Sequence, residues 1–157
     1  MTRRPSAGLT HAAAGMPSEG ERWPIEVGRC RAMGLSWLGL VAVATGAALG
    51  ASLRWLLSLA LNGLQPSVPP GTLVANLLGG LLAGMVMAWI LRHPELSPAV
   101  RLFVTTGFLG GLTTFSTFSA ESLALLIRGE FMLAFAHSAF HLLGSLAAAA
   151  VGYRLAS

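Results

Sequence analysis

The sequence has little charge and few of the residues that build soluble catalytic sites. Only 10% of its 157 residues are charged, whereas a soluble domain carries about 25%. Lysine and aspartate are absent, so all ten basic residues are arginines and all six acidic residues are glutamates. Cys30 is the one cysteine, which excludes a disulfide framework within the chain. The sequence contains no phosphate-binding loop, nucleophile elbow or Cys/His metal cluster, and we expect no enzyme.

Apolar residues make up 54% of the chain, and the mean hydropathy is +0.69. Such a composition is typical of an integral membrane protein of a single domain. The net positive charge comes from few residues, most of them near the ends of apolar runs. A nucleic-acid-binding function therefore has little support.

The polar residues concentrate at the N-terminus. We interpret residues 1–33 as a polar, disordered extension and residues 34–157 as the membrane domain. The longest aliphatic run in the extension, residues 12–14, is too short for the core of a signal peptide. Met33 directly precedes the first apolar run, so an alternative is that translation begins there.

Four apolar segments predict an all-α protein with four transmembrane helices, at about 35–60, 72–91, 99–127 and 131–151. The third contains adjacent glycines, Gly110 and Gly111, followed by hydroxyl residues that compete for backbone hydrogen bonds. Unwound backbone at membrane depth is tolerated only beside protein or a water-filled cavity. The pattern thus predicts a third helix broken at mid-membrane, where transporters place their sites. The alternative is a flexible glycine-rich packing segment.

Three polar residues interrupt the spans, and each has two interpretations. Arg54 either extends to the membrane interface or draws anions to a vestibule. Asn76 either joins two helices or donates its amide hydrogens to an anion. Glu121 is either an interfacial carboxylate or an acid beside an ion path.

The fourth span carries a polar stripe in which Ser138, His141 and Ser145 follow at i, i+3 and i+7. His137 and His141 stand four residues apart, a spacing that suits a metal ion. No carboxylate or cysteine lies near them in the sequence, so a metal site is not favoured.

The string Gly-Gly-Leu-Thr-Thr-Phe-Ser-Thr-Phe at 110–118 resembles the signature of the Fluc (CrcB) family of fluoride channels. Two further stretches match in order, residues 46–54 and residues 71–76 with the glycine pair at 79–80. The resemblance covers roughly residues 34–153.

This resemblance implies a channel that lets fluoride leave the cytoplasm passively across the inner (plasma) membrane. It implies an antiparallel, dual-topology dimer, formed by two copies or with a second homologous subunit. A sodium ion at the dimer centre would be held by the backbone carbonyls of Gly110 and Thr113. Thr72 would pair with Glu121 as polar support for the ion path. The resemblance assigns the fluoride path to Asn76, Phe115, Phe118 and Ser138, with Arg54 near its entrance.

The arginines bear on topology. From Met33 onward, one side of a four-span protein has three (Arg92, Arg101 and Arg154) and the other has two (Arg54 and Arg128), which suits insertion in both orientations. The five arginines of the extension make the ratio eight to two and would fix the N-terminus inside.

Two other functions stay open: a proton-coupled exporter of small cations or drugs that uses Glu121, and a non-transporting subunit of a membrane assembly.

Overall fold

The computed structural model describes residues 36–64 and 69–157. The predicted extension, including Met33, lies outside the described residues. The first helix, α1, spans Trp37–Leu61 and begins where the Ser36 hydroxyl accepts a hydrogen bond from the Gly39 amide at 3.0 Å. A 3-10 turn, Asn62–Leu64, follows it, and α2 spans Pro70–Arg92.

The second half of the chain forms one interrupted passage and one long helix. The interrupted passage contains α3 (Pro98–Leu102), a π-helical segment (Phe103–Leu109), α4 (Gly110–Leu112) and α5 (Phe115–Ile127). The final helix, α6, spans Phe131–Ala156 and extends beyond the predicted end at residue 151. The helices α1, α2 and α6 are each long and apolar enough to cross a membrane. The described residues confirm the predicted all-α, multi-pass fold.

The break in the third passage falls at Thr113 and Thr114, both in extended conformation. Thr114 then caps α5, because its Oγ1 accepts a hydrogen bond from the Thr117 amide at 3.1 Å. The predicted interruption is confirmed. The π-helical segment just before it was not predicted; π-helical turns occur frequently at functional sites.

Glycines bring α1 into backbone contact with the third passage. Gly46 and Gly50 are buried, as the small-residue spacing predicts. On the opposite side, a Cβ placed on Gly111 would lie 2.6 Å from the carbonyl oxygen of Ala47. Any side chain at this contact would push the broken passage away from α1.

A second glycine contact joins α2 to α6. A Cβ on Gly80 would lie 2.6 Å from the Ser145 carbonyl oxygen, and one on Gly84 would lie 2.7 Å from the Tyr153 nitrogen. This close approach places the polar side chains of α2 and α6 next to the break in the third passage.

Candidate functional site

The break is held open by a single side chain of α2. The Thr114 amide donates to Asn76 Oδ1 at 2.8 Å, and Asn76 Nδ2 donates to the Thr114 carbonyl at 3.1 Å. Asn76 thus pairs with the Thr114 backbone as a neighbouring strand would. These two bonds satisfy polar backbone groups that have no water to bond at membrane depth.

The same pairing determines the proton position on His141. Because Thr114 fixes the orientation of the Asn76 amide, Nδ2 is the atom that faces His141 Nδ1, 3.1 Å away. Nδ1 must accept this hydrogen bond, so the neutral imidazole carries its proton on Nε2. Both amide hydrogens of Asn76 therefore have acceptors, one on the backbone and one on His141.

A groove of about 700 Å³ runs beside the break, between α2, the third passage and α6. Aliphatic residues and glycines form much of its wall. Its other lining residues include Asn76, Thr113, Thr114, Phe115, Phe118, His141 and Ser145. The groove therefore gathers many of the predicted site residues around the interruption.

The two predicted phenylalanines contact each other edge to face, with ring centroids 5.3 Å apart. Phe118 is 7% exposed and stacks on His141 and His137, at 4.9 and 5.7 Å between centroids. Phe115 is 72% exposed within the single subunit. One ring is thus fixed inside the protein, and the other forms part of an open rim.

The two carbonyls predicted to hold a cation have lost their usual helical partners. In a continuous helix the Thr114 amide would bond the Gly110 carbonyl, but it donates to Asn76 instead. The Thr117 amide would bond the Thr113 carbonyl, but it donates to Thr114 Oγ1. Gly110 is also exposed. Both carbonyl oxygens are therefore available as ligands of a hard cation.

Arg54 supports the backbone of the same region. Its Nε donates to the Gly111 carbonyl at 3.0 Å, and the side chain is half-buried. Neither sequence interpretation, interface anchor or anion vestibule, anticipated this bond. Arg54 does not line the groove, so its direct observable role is to anchor α1 to the broken passage.

Glu121 lies close to the two histidines of α6, one of which lines the groove. Thr72 Oγ1 donates to Glu121 Oε1 at 2.6 Å, which is the pair that the family resemblance implied. Glu121 Oε2 lies 3.4 Å from His137 Nε2. No carboxylate stands near the histidines in the sequence, but the fold brings one there from α5. The reason for disfavouring a metal site was therefore wrong.

The serines of α6 separate into two environments. Ser145 lines the groove, and its hydroxyl has no hydrogen-bond partner among the described residues. Ser138 lies 3.3 Å from the Ser122 hydroxyl and is not part of the groove lining. The family resemblance assigned Ser138 to the fluoride path and Ser145 was not selected, although the polar stripe contained both.

These features define a class of protein: a small multi-pass membrane protein whose broken helix exposes backbone and polar donors beside a groove. That architecture is typical of proteins that move ions or small solutes.

Comparison with known proteins makes the assignment specific. Residues 41–153 match the family described as "CrcB-like protein, Camphor Resistance (CrcB)". The chain belongs to this family.

Three relatives named "Fluoride-specific ion channel FluC" show how close the match is. The chain is 56% identical to a protein of Chromohalobacter salexigens, over 74% of this chain and 88% of the relative. It is 58% identical to one of Aromatoleum aromaticum, over 72% and 86%. It is 57% identical to one of Cupriavidus pinatubonensis, over 75% and 96%. The predicted family is confirmed.

Proposed function

We propose that the protein is a fluoride-specific channel that lets fluoride leave the cytoplasm down its electrochemical gradient. The names of the relatives support this function, and so does the groove that places polar donors beside the broken passage. The observation that carries the proposal is the Asn76–Thr114 pairing, because it holds the backbone open next to the groove.

Fluoride is small and strongly hydrated, so a conduction path has to replace its water with hydrogen-bond donors. Ser145 supplies a hydroxyl without another partner, directly on the groove. Asn76 supplies an amide hydrogen that now faces His141 Nδ1 and can turn to an anion at the cost of that one bond. Phe115 and Phe118 contribute ring edges, the positive rim of the aromatic quadrupole. Ser138 is the next hydroxyl along α6.

A second copy of the chain is the proposed partner. One side of the groove is open, and apolar groups surround this opening: Phe115 is 72% exposed, Met87 59% and Leu142 57%. Gly110 lies on the same side and is exposed. Another subunit packed here would cover these rings and close two grooves at once. The near balance of arginines from Met33 onward, three against two, supports an antiparallel arrangement.

We place a sodium ion at the centre of this dimer. The carbonyls of Gly110 and Thr113, free of their helical partners, would hold it from each subunit. Such an ion would supply positive charge beside the anion path and lower the electrostatic barrier to fluoride. It would also link the two broken passages, so sodium binding and dimer formation would depend on each other.

We assign the protein to the inner (plasma) membrane, because fluoride efflux is useful to the cell there. Hydrogen fluoride crosses membranes as a neutral molecule and ionises at cytoplasmic pH, which traps the anion. A passive channel in that membrane releases it and lowers its toxicity.

Reconstitution tests the proposal. The purified full chain is placed in liposomes loaded with potassium fluoride, and valinomycin balances the charge while an electrode records efflux. We expect rapid fluoride efflux that does not change when a protonophore removes any proton gradient. Efflux that requires a proton gradient would indicate a coupled exporter, and no efflux from a correctly folded protein would indicate a non-transporting subunit. Either result would reject the channel.

Two serines of α6 provide a matched residue-level test. Ser145→Ala removes the free hydroxyl of the groove, so we expect fluoride efflux to fall about tenfold or more, as for one lost donor of about 1.4 kcal/mol. Ser138→Ala removes a hydroxyl that faces Ser122, and we expect a smaller loss. A larger effect at Ser138 would move the fluoride path away from the groove.

A further inference from the structure

Three buried polar atoms of neighbouring side chains beside the groove have no hydrogen-bond partner among the described residues. They are Glu121 Oε2, His137 Nε2 and His141 Nε2. Ligand atoms of the three residues all lie within 4.8 Å of one another. Unsatisfied buried polar atoms are costly, and three of them in residues whose ligand atoms lie this close together suggest an occupant shared by all three residues. We call this group the Glu-His-His cluster.

We propose that the Glu-His-His cluster is a binding site for a divalent transition-metal ion of the zinc class. Two histidines at i and i+4 on one helix face, with a carboxylate from elsewhere, form a common ligand set for zinc. Zinc bonds of about 2.0–2.2 Å place tetrahedral ligands about 3.3–3.6 Å apart. The distance from His137 Nε2 to Glu121 Oε2 is already 3.4 Å.

Two of the three proposed ligands, Glu121 and His137, are supported by a neighbour at their other polar atom. Thr72 Oγ1 donates to Glu121 Oε1 at 2.6 Å, and Ser122 Oγ lies 3.0 Å from His137 Nδ1. A hydroxyl that accepts from Nδ1–H leaves the Nε2 lone pair free for the metal. Such outer contacts orient metal ligands and raise their basicity.

The third ligand requires one change. In the structure, Asn76 donates to His141 Nδ1, so the proton of this imidazole is on Nε2. A metal at Nε2 displaces that proton, and the neutral ring then carries it on Nδ1. Nδ1–H and the Asn76 amide cannot both donate, so metal binding breaks this bond. Occupancy of the cluster is thereby coupled to Asn76, the residue that holds the break open.

His141 provides a route for the ion, because it both lines the groove and belongs to the cluster. The side chains of His137 and Glu121 are only 3% and 14% exposed, so the ion would be largely removed from bulk water. This burial favours a charge-neutralising ligand set, and one carboxylate with two neutral imidazoles offsets half the charge of the ion. A fourth position remains for water or an anion.

Zinc binding to the purified full chain in detergent tests the site, with an affinity tag that contains no histidine. Equilibrium dialysis should give about one saturable zinc ion per subunit. Glu121→Gln and His137→Gln should each weaken binding by at least about 100-fold, and Ser122→Ala by about 10- to 100-fold. His93→Gln is the matched control, because this histidine lies at the end of α2 and outside the cluster. It should leave binding unchanged.

A spectroscopic measurement on the unmodified protein tests the site without relying on the correct folding of variants. Cobalt(II) bound by the cluster should show the intense visible absorption of a four-coordinate ion, and added zinc should abolish it. Absence of saturable zinc uptake and of this absorption would overturn the proposal. Binding that persists in both Glu121→Gln and His137→Gln would do the same. Zinc binding is measured here without any fluoride flux, so either experiment can fail while the other succeeds.

Discussion

Replacement of Asn76 by leucine should destabilise the break in a way that can be measured independently of ion flux. Leucine has a similar size but offers no hydrogen bond. The Thr114 amide, which now bonds Asn76 Oδ1 at 2.8 Å, would lose its acceptor. A buried donor left unpaired costs about 1–3 kcal/mol. The bonds to the Thr114 carbonyl and to His141 add about 0.6 kcal/mol each, the average measured between helices in membranes. The free energy of unfolding should fall by about 2–4 kcal/mol.

Two assays test this estimate. Reversible unfolding in mixed micelles gives the change in free energy for the whole subunit, and hydrogen exchange gives the local effect at the Thr114 amide. A local loss of about 1–3 kcal/mol corresponds to exchange that is about 5- to 150-fold faster. Thr45→Val is the control, since it removes an exposed hydroxyl that bonds only within α1. The control should change stability by less than about 0.5 kcal/mol. An Asn76→Leu protein as stable as this control, with a protected Thr114 amide, would refute the reasoning.

Three further predictions concern the glycines, the rings and the start of the chain. Gly111→Ala should destabilise the subunit by about 1–3 kcal/mol because its Cβ meets the α1 backbone. Gly110→Val should leave the isolated subunit folded but abolish the proposed sodium binding and the proposed dimer, and a fully active, sodium-binding variant would contradict this. Phe115→Ile and Phe118→Ile should each keep the size-exclusion elution of the unmodified protein while fluoride efflux falls steeply, with one position more sensitive. Full efflux in both variants would reject the ring contribution. A chain that begins at Met33 should insert, assemble and conduct, and a loss of insertion on truncation would show that the preceding residues are required.

The fold was predictable because it depends on local patterns. The lengths of the apolar runs predicted the spans. The adjacent glycines and the hydroxyl residues that follow them predicted the interruption of the third passage. The π-helical segment at Phe103–Leu109 was not predictable in the same way. It arises where the passage packs its backbone against α1, which is a tertiary contact with no periodicity of its own in the sequence.

The site was predictable only in part. Asn76 stood out because it is a strongly polar residue on an apolar span, and the structure places it at the break. Ser138 and Ser145 could not be separated by spacing, because both fit one stripe and only the neighbouring helices decide which of them meets the groove. The approach of Glu121 to His137 depends on the turn between α5 and α6. The two residues are sixteen positions apart in the sequence, so no local pattern indicates that they lie close together.

Comparison of fluoride with chloride efflux, on one preparation of reconstituted protein, tests the central claim most directly. A groove in which hydroxyl and amide donors replace the water around a small anion should pass fluoride far faster than chloride, which is larger and would not fit a passage sized to the two rings. We predict rapid fluoride efflux and no chloride efflux above that of protein-free liposomes. Equal release of both anions, or release of neither, would contradict the account.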